Sequence, residues 1–175
     1  KTVVPWIQYV AYCLSGKLVT EISGMACQSH LLNIRDGGYS SLVKRMGWEP
    51  LFPPMAKAWE TIGTLRGEFL GNGFHGRGNV LAGVHDSNAN YLRYLAGGQK
   101  KFTLLSTGTW IIGFDTETGL ASLIEEKDTV SNTDVFGNRV GSGRFFGGRE
   151  FEIVSGGASG DMASLAAVQD LIATA

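Results

Sequence analysis

Charge of either sign is nearly absent as an excess. Fifteen Lys and Arg balance sixteen Asp and Glu, for a net charge of −1. That balance argues against a nucleic-acid or acidic-membrane partner held by charge. No apolar run approaches the roughly 20 residues of a membrane span. Nothing reads as a secretory leader, and no Asn-x-Ser/Thr sequon occurs. Cysteine is scarce. Cys13 and Cys27 are the only two, and their spacing fits neither a zinc site nor a Cys-x-x-Cys redox pair. They are expected to be buried free thiols in a reducing compartment, which places the protein in the cytoplasm. Histidine is equally thin. His30, His75 and His85 have no metal-ligand spacing, so no protein-built metal site is expected.

Glycine is what the chain has in surplus. There are 25 in 175 residues, about double the usual share of roughly 7%. They cluster near 71–83, 97–98, 141–148 and 156–160, which predicts tight turns between short elements. The length suits about one domain with a real core. The chain starts at Lys1 directly before a helix signal and stops inside an apolar periodic segment, 165–172. This predicts a fragment of a longer polypeptide.

Pro5 suits the first position of a helix. Trp6, Tyr9, Val10, Cys13 and Leu14 then recur at helical spacing, and Gly16 supplies the stop. A second helix is expected over 40–46, with Leu42, Val43 and Met46 on one face. Pro50, Pro53 and Pro54 predict an extended connection, and 56–62 is helix or loop. Residues 79–84 read as a short buried strand and 90–95 as a helix with Tyr91, Leu92 and Leu95 inward, ended by Gly97 and Gly98. Strands are expected at 102–105 and 110–114 around a tight turn at 107–109. A hairpin is expected over 134–140 with Gly137-Asn138 at its tip. Residues 155–160 read as a flexible link to a final helix. The order of elements is an α/β pattern.

Four stretches invite a chemical reading. Gly71-Asn72-Gly73-Phe74-His75-Gly76 satisfies G-x-G-x-x-G, but it precedes a strand instead of following one, so it reads as a loop. Residues 155–160 lack the Lys-Ser/Thr of a phosphate loop and read as linker. The third is Val80-Leu81-Ala82-Gly83-Val84-His85-Asp86-Ser87-Asn88. Asp86 there is either an N-cap for the next helix or a general base just past a strand end. Ser87 and Asn88 can also cap, so the helix does not require Asp86. About twenty residues on, Ser106-Thr107-Gly108-Thr109-Trp110 is either a plain hairpin turn or a phosphate cradle of backbone N–H groups and hydroxyls. A carboxylate base and such a turn on adjacent strand ends suit phosphoryl transfer.

At these residues the sequence resembles the FGGY family of carbohydrate kinases, most closely its rhamnulokinase-like and fuculokinase-like branch. Ala82-Gly83-Val84-His85-Asp86-Ser87-Asn88 resembles the catalytic-aspartate motif. Ser106-Thr107-Gly108-Thr109-Trp110 resembles the Ser-Gly-Thr-Trp phosphate segment. Arg144-Phe145-Phe146-Gly147-Gly148-Arg149-Glu150-Phe151 resembles the Arg-Phe-Met-Gly-Gly-Arg-Glu stretch, and Tyr9 to Gly16, with Leu14-Ser15-Gly16, resembles the family's Tyr…Arg-Leu-Thr-Gly helix end. The resemblance implies part of an actin-like, ribonuclease-H-like ATPase fold. It implies a sugar kinase: Mg-ATP phosphorylates a hydroxyl of a small-molecule sugar, Mg2+ arriving with the nucleotide. Asp86 matches the base, with His85, Ser87 and Asn88 beside it toward the sugar. Thr109 matches the threonine near the ATP phosphates, with Thr107 and Gly108 next to it.

The family's Asp-x-Gly-Thr/Lys phosphate loop and its Gly-Gly adenosine motif have no counterpart here. Residues 1–150 are therefore expected to be the second half of the N-terminal domain, and 151–175 the crossover into the C-terminal domain. Half a site is expected to be inactive alone. The competing reading is a non-catalytic sugar- or nucleotide-binding module on the same fold, which has no need of Asp86. A hydrolase using His85 and Asp86 lacks a Gly-x-Ser-x-Gly elbow. Trp6, Tyr9 or Trp110 can stack on a sugar, with core packing favoured for Trp6 and Tyr9. Arg149 is either a phosphate ligand or a surface partner of Glu150 or Glu152.

Overall fold

The computed structural model describes residues 1–27, 29–71 and 78–156. Helix α1 (Trp6–Ser15), strand β1 (Thr20–Glu21) and helix α2 (Ile22–Ala26) come first. Helix α3 (Ser41–Met46) and the short strands β2 (Met55–Ala56) and β3 (Thr61–Thr64) follow. Strand β4 (Asn79–Leu81) leads into helix α4 (Asp86–Ala96). The remainder is mostly sheet: β5 (Thr103–Thr107), β6 (Ile111–Asp115), β7 (Thr129–Thr133) and β8 (Arg139–Phe145), closed by helix α5 (Gly147–Val154). β1 and β2 pair in parallel, β3 and β4 antiparallel, and the last four strands form an antiparallel sheet in the order β5-β6-β8-β7.

Local chemistry explains most boundaries. Gly16 ends α1 in the left-handed region at φ +74, its N–H bonded to the Tyr12 carbonyl. L side chains resist that conformation, which is why glycine stops the helix. Ser40 caps α3 by accepting the Val43 N–H. The β7–β8 strands flank the expected hairpin rather than fill it. Residues 134–138 are the turn, and the Asp134 carboxylate accepts the N–H groups of Phe136 and Asn138.

Two cores hold these pieces. Tyr91 of α4 packs with Leu104, Ile112, Phe114 and Val140 of the large sheet, its ring 5.3 Å from that of Phe114. Alternation along the strands puts these residues on one face. Met25 and Ala26 of α2 pack with Leu32 in the second core.

Several expectations need correcting. Trp6 is 75% exposed and Tyr9 and Val10 are nearly half exposed, while Gln8 and Ala11 are buried. Helical spacing says which residues share a face, not which face is covered. Here α1 turns its Gln8 side to the β3–β4 pair, and Gln8 Nε2 donates to the Ala82 carbonyl. On α3, Val43 is buried and Met46 exposed. Pro50 sits in a 3-10 turn, Glu49–Leu51, and extended chain resumes at Phe52. A proline's fixed φ suits a turn as well as an extended segment. Residues 56–62 are neither helix nor plain loop: Thr61 opens β3, whose β-branched residues find β4 as a partner. In β4 only Val80 is buried. Helix α5 was not anticipated, because Gly147 and Gly148 at its start are poor helix formers. It overlaps the segment expected to cross over from 151. The expectations for residues 72–77, His75 included, for 157–160 and for the final helix lie outside the described residues.

Candidate active site

The site begins with the chain leaving β4. Gly83, at φ +84, turns it toward α4, and a Cβ there would stand 3.0 Å from Ile7 Cγ2. The next turn is pinned from α2. The His85 N–H donates to Ser23 Oγ at 3.1 Å, and the Ser23 hydroxyl donates to Glu21 Oε2. Glu21 and Ser23 are wholly buried, so this anchor is rigid.

His85 occupies the N-cap and Asp86 the first position of α4. The N-cap reading of Asp86 is therefore corrected. A capping carboxylate accepts from an N–H two or three residues on. Asp86 Oδ1 accepts instead from the neighbouring Ser87, through its N–H at 2.6 Å and its hydroxyl at 3.3 Å. The Asp86 side chain is 92% exposed and stands at the N-terminus of α4. His85 lies between two groups: Nδ1 is 3.4 Å from Asp86 Oδ1, and Nε2 is 3.3 Å from Cys27 Sγ. Burial, and then the Asp86 charge, push the Cys27 thiol up to about 11, against a weaker opposite pull from Arg144. Cys27 and Cys13 are free but only half-buried, which corrects the expectation of full burial.

The second wall is the turn between β5 and β6. Thr107 pairs with Ile111, leaving 108–110 as the connection, and Thr107, Gly108 and Thr109 are exposed. Helix α5 supports the turn from beneath. A Cβ on Gly148 would fall 1.9 Å from the Gly108 carbonyl oxygen, and the Arg149 N–H donates to the Thr109 carbonyl. Only glycine permits that approach. Trp110 packs against Phe146 at 4.4 Å between ring centroids. The Arg149 guanidinium pairs with Glu152 at 2.6 Å on the helix surface, the second of the two readings offered by the sequence.

The two walls enclose a cavity of about 280 Å³, with Cys27, His85, Asp86 and Ser87 on one side and residues 106–110 on the other. They do not meet as adjacent strand ends, because β4 and β5 belong to different sheets. The contact is helix start against hairpin turn, bridged by Asn90 Nδ2 donating to Ser106 Oγ at 3.4 Å. Asn88 is not brought in. Two residues along a helix is more than half a turn, and its side chain is buried, with Oδ1 unpartnered. Cys27 is the site neighbour that sequence reasoning missed. It lies 58 residues from His85, and no local pattern marks it. A larger cavity of about 570 Å³ lies along α1 and β4, with Trp6 in its wall and no titratable group among its lining residues. Trp110 lines the Asp86 cavity; Trp6 and Tyr9 do not. Among the described residues, no group of three or more His, Cys, Asp or Glu side chains is arranged to hold a metal ion, and no helix is long and apolar enough to cross a membrane.

This mixed α/β chain has the actin-like, ribonuclease-H-like ATPase fold. Residues 99–175 match the family model described as the C-terminal domain of carbohydrate kinase FGGY. The structure of a carbohydrate kinase from Novosphingobium aromaticivorans matches 87% of this chain at 39% identity and a TM-score of 0.75. That of a xylulose kinase from Rhodospirillum rubrum matches 82% at 17% identity and a TM-score of 0.59, a likeness of fold. These matches support the FGGY carbohydrate kinase family for this chain. It spans 34% of the first of these kinases and 29% of the second. No curated protein matches it, and no branch within the family is specified. The family match begins at residue 99, inside the segment assigned by sequence to the N-terminal domain. It starts just after α4 and ahead of the four-stranded sheet.

Proposed function

We propose that this chain supplies the acceptor-activating and phosphate-facing walls of an ATP-dependent sugar kinase. The observation that carries the reading is the shared cavity, which sets the Asp86 carboxylate across from the Thr107-Gly108-Thr109 turn. Phosphoryl transfer asks a protein mainly for positioning and charge stabilisation. Asp86 takes the proton of the attacking sugar hydroxyl. The Thr107 and Thr109 hydroxyls and the N–H groups of the turn face the phosphate oxygens, which only accept hydrogen bonds. His85 and Ser87 hold the base, and Asn88 acts only from within the packing. The compartment that suits this role is the cytoplasm.

The donor set fits a phosphoryl group. The turn is exposed, and the nearest atom to a Cβ built on Gly108 is 3.8 Å away, so an anion can approach its backbone. When bound, Mg-ATP supplies the transferable phosphoryl group and the neutralising cation. About 280 Å³ is below the usual range for a whole small-molecule site. It holds an acceptor hydroxyl and a phosphoryl group, not a complete nucleotide. We therefore place the adenosine on parts of a longer kinase, with the domain division near Gly97 and Gly98 rather than at 150.

The test is ADP release by the full-length kinase carrying this sequence, with Mg-ATP and a panel of ketoses, aldoses and polyols. Asp86→Asn is expected to lower kcat by about 10²–10⁴ while sugar binding persists. Sugar-dependent release that the variant retains would falsify the assignment of Asp86 as base.

A further inference from the structure

The Asp86 side chain is almost fully exposed, yet a general base must be held close to one geometry. Its anchoring is one-sided. Oδ1 takes both bonds from Ser87 and faces His85 Nδ1 at 3.4 Å. Among the described residues, no hydrogen bond reaches Oδ2. His85 Nδ1 is buried and has no partner of its own within full hydrogen-bond geometry, so a small turn of the carboxylate would complete that contact. What Nδ1 presents to Asp86 depends on the other ring nitrogen. Nε2 faces the Cys27 thiol at 3.3 Å.

We propose that Cys27 is a positioning residue. Its S–H donates to His85 Nε2, fixes the ring as the Nδ1–H tautomer, and so turns a donor toward Asp86 Oδ1, leaving Oδ2 free to take the substrate proton. Two arguments converge on this tautomer. A thiol pushed up to about 11, mainly by burial, is protonated at neutral pH and has a proton to donate. The opposite tautomer would aim the Nδ1 lone pair at a carboxylate oxygen, which is repulsive. The Ser23 bond to the His85 N–H fixes the backbone but leaves the ring's proton undecided. Cys27 settles that from a different element. The role in catalysis rests on the kinase reading, whereas the tautomer stands apart from it.

The experiment therefore has two readouts on the full-length kinase. In ¹⁵N-histidine-labelled protein at neutral pH, the His85 ring should show a protonated Nδ1 and an unprotonated Nε2. Cys27→Ser should keep that pattern, and Cys27→Ala should show the Nε2–H form alongside it, because the Asp86 charge alone then biases the ring. In the ADP-release assay, Cys27→Ala should lower kcat about tenfold with the sugar KM little changed, and Cys27→Ser should recover most of the loss. A protonated Nε2 in the wild type, or a tautomer that Cys27→Ala leaves in place, overturns the proposal. So does a Cys27→Ala kinase with unchanged kcat. Absence of turnover in the wild type would instead sink the kinase reading, while the ring spectrum still reports on the Cys27–His85 pair.

Discussion

At the scale of single residues, the environment of a carboxylate decides its work. Asp86 is almost fully exposed and Asp115 half-exposed, and among the described residues both Asp115 oxygens accept hydrogen bonds while only one Asp86 oxygen does. The Thr103 hydroxyl donates to Asp115 at 2.6 Å, and the N–H groups of Glu117 and Thr118 at 2.7 and 2.8 Å. These bonds, the Thr103 hydroxyl first and the Glu117 N–H next, pull its carboxyl down to about 2. A lowered carboxyl stabilises the fold above its unfolded value of about 4. That stabilisation is lost as pH falls from about 4 to about 2. Urea midpoints measured at pH 6, 4 and 2.5 should therefore drop more steeply for the wild type than for Asp115→Asn. Equal slopes would show that these bonds do not survive in solution. Asp115 is structural because its acceptors are spent, whereas among the described residues no hydrogen bond reaches Asp86 Oδ2, as the proposed base requires.

At the scale of elements, the β5–β6 turn depends on helix α5. The glycine pair that hid α5 in the sequence is what allows the helix start to lie under the turn. Gly148→Ala places a methyl group where the Gly108 carbonyl now stands, and backbone must move to admit it. Overpacking of this kind costs about 1–3 kcal/mol. In the full-length kinase the variant should lose that much stability in denaturant unfolding and show a raised KM for ATP, with sugar affinity held. A variant of wild-type stability and unchanged KM would mean that α5 does not set the turn. The β5–β6 strand pair, with its turn at 108–110 and not at 107–109, and the break between β4 and α4 were legible because turn glycines and a polar break after an apolar run are local signals. Which strands would be neighbours was not. β4 and β5 follow each other in the chain with only α4 between, yet belong to separate sheets.

At the scale of the whole molecule, much apolar surface stays open. Trp6 is 75% exposed, Leu105 64% and Phe145 53%, on α1, β5 and β8. Patches of this kind mark interaction surfaces or association liabilities. The 175-residue polypeptide by itself should bind the dye ANS at neutral pH and show no sugar-dependent ADP release. Turnover by the isolated chain, abolished by Asp86→Asn, would overturn the view that half a site is inactive.

The sequence by itself determined the α/β class, the helix stops at Gly16 and Gly97, a tight glycine turn between β5 and β6, and the polar break after β4 where Asp86 stands. Each rests on residues within one turn or one strand of each other, where backbone sterics and local hydrogen bonding act. Tertiary structure alone decided that Gln8 is buried while Trp6 is not, that Asn88 turns away from the cavity, that Gly148 lies beneath Gly108, and that Cys27 faces His85. Those outcomes depend on which surfaces meet after the chain has folded back on itself, and side-chain spacing along the sequence carries no record of that.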